Sequence, residues 1–171
     1  MIPAHPGATA ALLFVAVTAL YLPSVRNGFV YDDHEVILAQ QPLRSARDLA
    51  RVFAEPHGLP QSRLPYYRPT TRATLLLQKS WTGDAPAPFH AANALLMGAV
   101  AVAAHVLLRR PGFGLSPGAA VWAAAAFALH PVASECTYPA ASGRETALPA
   151  LFFLAALAAW IGGGARGRAI A

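Results

Sequence analysis

Asn27-Gly28-Phe29-Val30-Tyr31-Asp32-Asp33-His34-Glu35 joins an uncharged apolar run to a long polar stretch, after which apolar runs resume. Three acids fall within four positions, directly beyond a predicted membrane helix. Adjacent like charges repel, and a turn forms more readily from Gly, Asn or Ser. The cluster therefore reads as the mouth of a membrane-embedded site with Asp32 and Asp33 as its acids. A solvated acidic loop is the competing reading of the same residues.

Outward from this stretch, composition sets the class. Of 171 residues, 56% are hydrophobic and 12% charged, against about 25% charged in a soluble domain. Residues 8–25, 91–108, 111–134 and 146–165 contain no Asp, Glu, Lys or Arg. At about 1.5 Å per residue, each approaches the roughly 30 Å of a bilayer core. The expected fold is all-α integral membrane, with about four transmembrane helices near 8–25, 91–108, 117–134 and 146–162. A long first loop, 26–88, carries amphipathic helices, and the whole forms one membrane domain, 1–171. The third run is rich in Ala and ends at Pro131, which fits a short or broken span. No Lys or Arg precedes the first run, and Leu22-Pro23-Ser24-Val25-Arg26 offers no clear small-x-small site. It reads as an uncleaved helix and not as a signal peptide. A secreted chain would begin near Asn27, and the three later apolar runs argue against that.

All eight acids lie in the loops after spans one and three: Asp32, Asp33, Glu35, Asp48, Glu55, Asp84, Glu135 and Glu145. Arg109 and Arg110 in the second connection, and Arg166 and Arg168 in the tail, have no acid beside them. Short basic connections belong on the cytoplasmic side, so loops 26–88 and 135–145 are expected on the outer face. The eight bases of the first loop do not overturn this, because long loops translocate largely regardless of charge. The net charge of +5 thus reflects membrane topology. No basic run is interleaved with aromatics, so a nucleic-acid partner is not expected. The single Cys136 excludes an internal disulfide. Twelve Arg against one Lys, with abundant Ala, suggests a GC-rich bacterial genome and hence a bacterial cytoplasmic membrane.

Along the chain, residues 43–54 place Leu43, Ala46, Leu49, Ala50 and Phe53 at helical spacing, with Arg44, Arg47, Asp48 and Arg51 opposite. Such a helix lies in the membrane interface or packs on the ends of the spans. Residues 55–65 read as loop. Pro69 suits the first turn of a helix reaching about Trp81, and Tyr66 and Tyr67 suit a membrane interface. Arg68 can grip a phosphate through two hydrogen bonds; a salt bridge or a lipid headgroup contact is its plainer role. Asn93 is placed to hydrogen-bond a neighbouring helix. His90 and His105 would lie about 22 Å apart on one helix, so they cannot share a haem or metal with His130. The outer turn adds Glu135, Arg144 and Glu145, costly at membrane depth unless they face a polar cavity or one another. An Arg144–Glu145 or Arg144–Asp33 ion pair is the structural alternative.

Five motifs occur in order: Asn-Gly-Phe-Val-Tyr-Asp-Asp, Tyr-Tyr-Arg-Pro-Thr-Thr, Phe-His-Ala-Ala-Asn-Ala-Leu-Leu, Ala-Leu-His-Pro-Val-Ala-Ser-Glu and Ser-Gly-Arg-Glu. This pattern resembles the amino-terminal membrane part of the transmembrane and tetratricopeptide-repeat O-mannosyltransferases. It is similar, more distantly, to the protein O-mannosyltransferases and the wider glycosyltransferase C superfamily. The resemblance covers about residues 8–160. It implies a polyprenyl-phosphate-sugar donor and transfer to a protein or other hydroxyl on the outer face. Asp32 or Asp33 would be the general base, and Arg68 and Arg144 would bind the donor phosphate. Tyr67, His130, Glu135 and Glu145 would support them. No cofactor is implied, and a divalent metal is without support. Here the pattern departs from the family's Gly-Arg-x-Asp-type turn: the acid, Glu145, directly follows Arg144. Relatives have many more helices, so the chain is expected to be an amino-terminal fragment or one part of a split enzyme, inactive alone, with a partner chain supplying further helices. The alternative is a non-catalytic membrane subunit or a lipid-phosphate-binding assembly protein.

Overall fold

The computed structural model describes residues 6–54, 67–135 and 137–167. The expected loop at 55–65, together with Tyr66, Cys136 and Arg168, lies outside these residues. Helix α1 spans Pro6–Tyr21 and tightens into a 3-10 turn, Leu22–Arg26, where Pro23 is tolerated near the start. A five-residue π turn follows at His34–Leu38, then α2 (Ala46–Ala54), α3 (Pro69–Thr82) and α4 (Pro86–Leu108). The chain continues as α5 (Pro117–Ala128), the short α6 (Pro131–Ser134) and α7 (Ala140–Gly167).

Among the described residues, three stretches are long and apolar enough to cross a membrane: Gly7–Arg26, Pro86–Leu108 and Ala140–Gly163. The third apolar run does not make a full span. Helix α5 has 12 residues, or about 18 Å. Proline disfavours helical backbone in the residue before it, and His130 turns extended at ψ 138. Its Nδ1 accepts the Val132 N–H at 3.2 Å and opens α6. The short or broken form of that run is the one observed.

Helix α4 is the centre. Its Ala94, Met97, Ala101 and Ala104 pack with Leu13, Val17 and Tyr21 of α1, Ala124 and Ala128 of α5, and Ala147 of α7. Small side chains let helices approach closely where lipid removes the hydrophobic drive between them. At Gly98 a Cβ would clash with the Thr18 hydroxyl and come within 3.0 Å of the Phe14 carbonyl oxygen. The outward faces of α1 and α7 keep Leu12, Val15, Phe152, Phe153 and Trp160 exposed, as a lipid- or helix-facing surface requires.

At one end of this bundle the loops gather. Tyr21 donates its hydroxyl to the Ala128 carbonyl at 2.7 Å, tying the end of α1 to the end of α5. His90, fully buried, sets Nε2 3.3 Å from the Gly28 carbonyl. Helix α3 lies across this end. Lys79 donates to the Ile37 and Leu38 carbonyls at 2.8 and 3.0 Å and pairs with Asp84 at 2.9 Å. It thereby closes the π turn onto α3. Helix α2 packs on α3 through Val52, while Leu49 and Phe53 stay 42% and 48% exposed. Its predicted apolar face therefore looks outward, as in the interfacial reading. Ser45 and Asp48 cap it reciprocally: the Ser45 hydroxyl accepts the Asp48 N–H at 3.2 Å, and Asp48 Oδ2 accepts the Arg44 N–H at 3.1 Å and the Ser45 hydroxyl at 2.9 Å.

Candidate active site at the loop end of the bundle

The two acids of the opening stretch meet different surroundings. Val30 to Asp33 form a tight turn closed by the Asp33 N–H to the Val30 carbonyl at 3.0 Å. Tyr31 within it has φ 47, a left-handed conformation that costs a non-glycine residue on the order of 1–3 kcal/mol. The Asp33 carboxylate holds this turn by accepting the Val30 N–H at 3.0 Å. It also accepts the Ala140 and Ala141 N–H groups at 3.2 and 2.7 Å. Asp33 is 0% exposed. Its negative charge thus caps the start of α7, where backbone donors lack partners inside the helix and the helix dipole favours an anion.

Asp32 is exposed. Among the described residues its carboxylate makes no hydrogen bond or ion pair. It lies near enough to Glu145 for its charge to act on that carboxylate, and Glu145 is ion-paired with Arg68. Asp32, Arg68 and Glu145 therefore share one surface. They come from the first loop, the residue before α3, and the second turn of α7.

Arg144 points the other way, into the protein, and is 4% exposed. Nε donates to Asn93 Oδ1 at 3.0 Å, and Nη2 donates to Gln78 Oε1 at 2.7 Å and the Phe89 carbonyl at 3.4 Å. Neither ion pair of the structural alternative forms: Glu145 faces Arg68, and Asp33 is engaged with backbone. Among the described residues Arg144 has no carboxylate partner. Its acceptors are neutral groups of α3 and α4: Gln78, Asn93 and the Phe89 carbonyl. Asn93 is the hub, donating through Nδ2 to the Pro139 and Ala140 carbonyls at 3.2 and 2.9 Å. It links α4 to α7 as its position suggested.

The remaining residues singled out in the sequence stand apart from this cluster. Tyr67 donates its hydroxyl to the Phe53 carbonyl at 2.7 Å and tethers α2. His130 caps α6, and Glu135 is exposed; no interaction among the described residues joins any of the three to Asp32, Arg68 or Arg144. Gln78 was missed. Its only sequence signal is its place on α3, on the turn before Thr82, where a polar residue looks unremarkable. Among the described residues no group of three His, Cys, Asp or Glu side chains is close enough to share a metal ion.

Comparison with known proteins bears out the resemblance read from the five motifs. The chain is 32% identical over 149 residues to the protein O-mannosyl-transferase TMTC3 of Homo sapiens, covering 85% of this chain and 16% of that protein. It is 34% identical over 149 residues to the protein O-mannosyl-transferase TMTC4 of Mus musculus, covering 77% of this chain and 20% of the relative. The chain thus spans about a sixth to a fifth of the length of the curated relatives it matches. No protein-family model and no solved structure matches it. With its apolar helices, the likeness makes this an integral membrane protein. The relatives are mammalian and lend no support to the bacterial membrane expected from composition.

Proposed function

From the likeness to the protein O-mannosyl-transferases, we propose that the chain forms the donor-phosphate and general-base end of a glycosyltransferase. The donor is a polyprenyl-phosphate sugar, and the acceptor is a hydroxyl presented at the outer membrane face. The observation that carries this reading is the division of labour between two adjacent acids. Asp33 is buried and committed to the backbone, while Asp32 is exposed beside Arg68 and Glu145.

The roles follow. The acceptor oxygen attacks the anomeric carbon as its proton passes to the Asp32 carboxylate. The bond from that carbon to the phosphate oxygen breaks, and polyprenyl phosphate leaves with the electron pair. Attack opposite the leaving group inverts the anomeric configuration. Charge grows on the phosphate, where preorganised positive groups are most effective. Arg68 supplies one such group by exchanging Glu145 for the phosphate, while Arg144, buried behind that surface, is a positioning residue that ties α7 to α3 and α4 through Gln78, Asn93 and the Phe89 carbonyl. Asp33 is a positioning residue, because its three backbone bonds set the turn that presents Asp32.

Binding tests this directly. Purified chain in detergent micelles should bind polyprenyl phosphate, and Arg68→Gln should weaken binding roughly 10- to 100-fold, since a hydrogen bond to a charged group contributes about 1.5–3 kcal/mol. Equal affinity in the variant would remove Arg68 from the donor site. The outward apolar faces of α1 and α7 also favour assembly with further helices, in the same protein or a partner, and such assembly is compatible with the catalytic reading.

A further inference from the structure

A second basic site lies away from the Asp32 cluster. Helix α2, the segment leading into it and helix α3 enclose a pocket of about 500 Å³ whose lining includes Arg44, Asp48, Arg51 and Arg72, with Val52 and Leu76 on its apolar side. Three arginines and one aspartate thus line it. That carboxylate is already engaged by the Ser45 hydroxyl and the Arg44 backbone N–H. Arg72 is half-buried and donates from Nη2 to Gln40 Oε1 at 3.2 Å, and among the described residues its buried Nε has no hydrogen-bond partner. An excess of two positive charges in a concave pocket is a poor arrangement for stability alone and a good one for an anion.

The surroundings identify the kind of anion. Helix α3 passes through the Gly83 turn directly into α4, whose Pro86–Leu108 is a candidate membrane span. Helix α3 also packs on α4 and α7 at the loop end of the bundle, so the pocket lies at that end. On the side of α2 away from these arginines, Leu49 and Phe53 are 42% and 48% exposed, and the neighbouring Tyr67, 60% exposed, bonds its hydroxyl to the Phe53 carbonyl. A helix that is apolar on its outer side and arginine-rich on the other has the make-up of a membrane-interface helix, and the basic pocket is complementary in charge to the headgroup phosphate of an anionic lipid.

We propose that Arg44, Arg51 and Arg72 form a binding site for the headgroup phosphate of an anionic membrane phospholipid, which seats α2 on the bilayer surface. This site does not depend on the transfer chemistry. Arg68 lies one helical turn before Arg72, so the test separates a phospholipid from the donor.

The purified chain in detergent micelles is titrated with phosphatidylglycerol, and retained lipid is counted by native mass spectrometry. Phosphatidylcholine, inorganic phosphate and polyprenyl phosphate serve as comparison probes. The wild-type chain should retain phosphatidylglycerol in preference to phosphatidylcholine. Arg72→Gln should weaken phosphatidylglycerol binding at least tenfold, as should Arg44→Gln with Arg51→Gln. Arg72→Lys should retain part of the affinity, which separates loss of charge from loss of fold. Arg47→Gln, which removes the same charge from α2 outside the pocket, should stay within about twofold of wild type. Equal binding by wild type and the pocket variants would overturn the site, and so would an equal loss in Arg47→Gln. Displacement of phosphatidylglycerol by inorganic phosphate or by polyprenyl phosphate at matched concentration would overturn the phospholipid assignment, making the ligand a free phosphate or the donor.

Discussion

Asp33→Asn separates the two acids most sharply. The carboxylate accepts three backbone N–H groups, from Val30, Ala140 and Ala141, at 3.0, 3.2 and 2.7 Å. An amide has the same shape but only one accepting oxygen. Its NH2 group must face at least one of those N–H donors, leaving a buried donor unpaired and removing the charge from the start of α7. Hydrogen bonds to charged groups contribute about 1.5–3 kcal/mol each, and an anion at a helix start about 0.3–2 kcal/mol. A loss of roughly 2–4 kcal/mol is expected, since part is recovered by relaxation. On the scale of soluble domains of this size, that lowers the melting temperature by about 5–15 °C. Asp32→Asn changes an exposed side chain without hydrogen bonds and should stay within about 0.5 kcal/mol of wild type. Circular dichroism melts of both variants in the same detergent make the comparison. Equal melting temperatures for Asp33→Asn and wild type, or equal losses in the two variants, would refute the assignment of Asp33 as the cap of α7.

Other consequences can be measured on the same preparation. Asn93→Ala removes the bonds to the Pro139 and Ala140 carbonyls and strips Arg144 Nε of its acceptor; a loss of about 2–4 kcal/mol is expected from one buried unpaired charged donor and lost neutral bonds, read as a drop in melting temperature. The Asp48 carboxyl is held below its ordinary range, first by the Ser45 hydroxyl and then by the Arg44 backbone N–H. Because its folded value is the lower one, its cap stabilises α2 fully above the unfolded value of about 3.9. That stabilisation fades as pH falls through the folded value. Hydrogen exchange at the α2 amides should accelerate there relative to the intrinsic rate, and Asp48→Asn should abolish the dependence.

The sequence pattern exposed some of these features and hid others for physical reasons. Charge-free runs marked α1, α4 and α7, because spanning a bilayer constrains every residue of a helix. Pro69 and Pro131 marked the start of α3 and the end of the third apolar run, because proline acts on its immediate neighbours. The run's shortening to 12 residues was legible only as one of two alternatives. The different surroundings of Asp32 and Asp33 were not legible at all. They are set by the Ala140 and Ala141 amides, more than a hundred residues away, and nothing local distinguishes the two acids. The alternative reading, an ion pair of Arg144 with a nearby acid, is not the one observed, for a related reason. Successive helical residues point about 100° apart, so Arg144 and Glu145 cannot face one partner, and Arg144 is met by Gln78 and Asn93 from two other helices. The apolar stripe of α2 was plain, but its outward direction depends on Val52 packing against α3.

The most direct test of the central claim is sugar transfer by membranes expressing the natural gene product with Asp32→Asn, compared with wild type at matched protein level, using a polyprenyl-phosphate mannose donor and a hydroxyl-bearing acceptor peptide. With Asp32 as general base, transfer should fall on the order of 100-fold or more, with donor binding and melting temperature unchanged. Transfer at the wild-type rate in that variant would contradict the account.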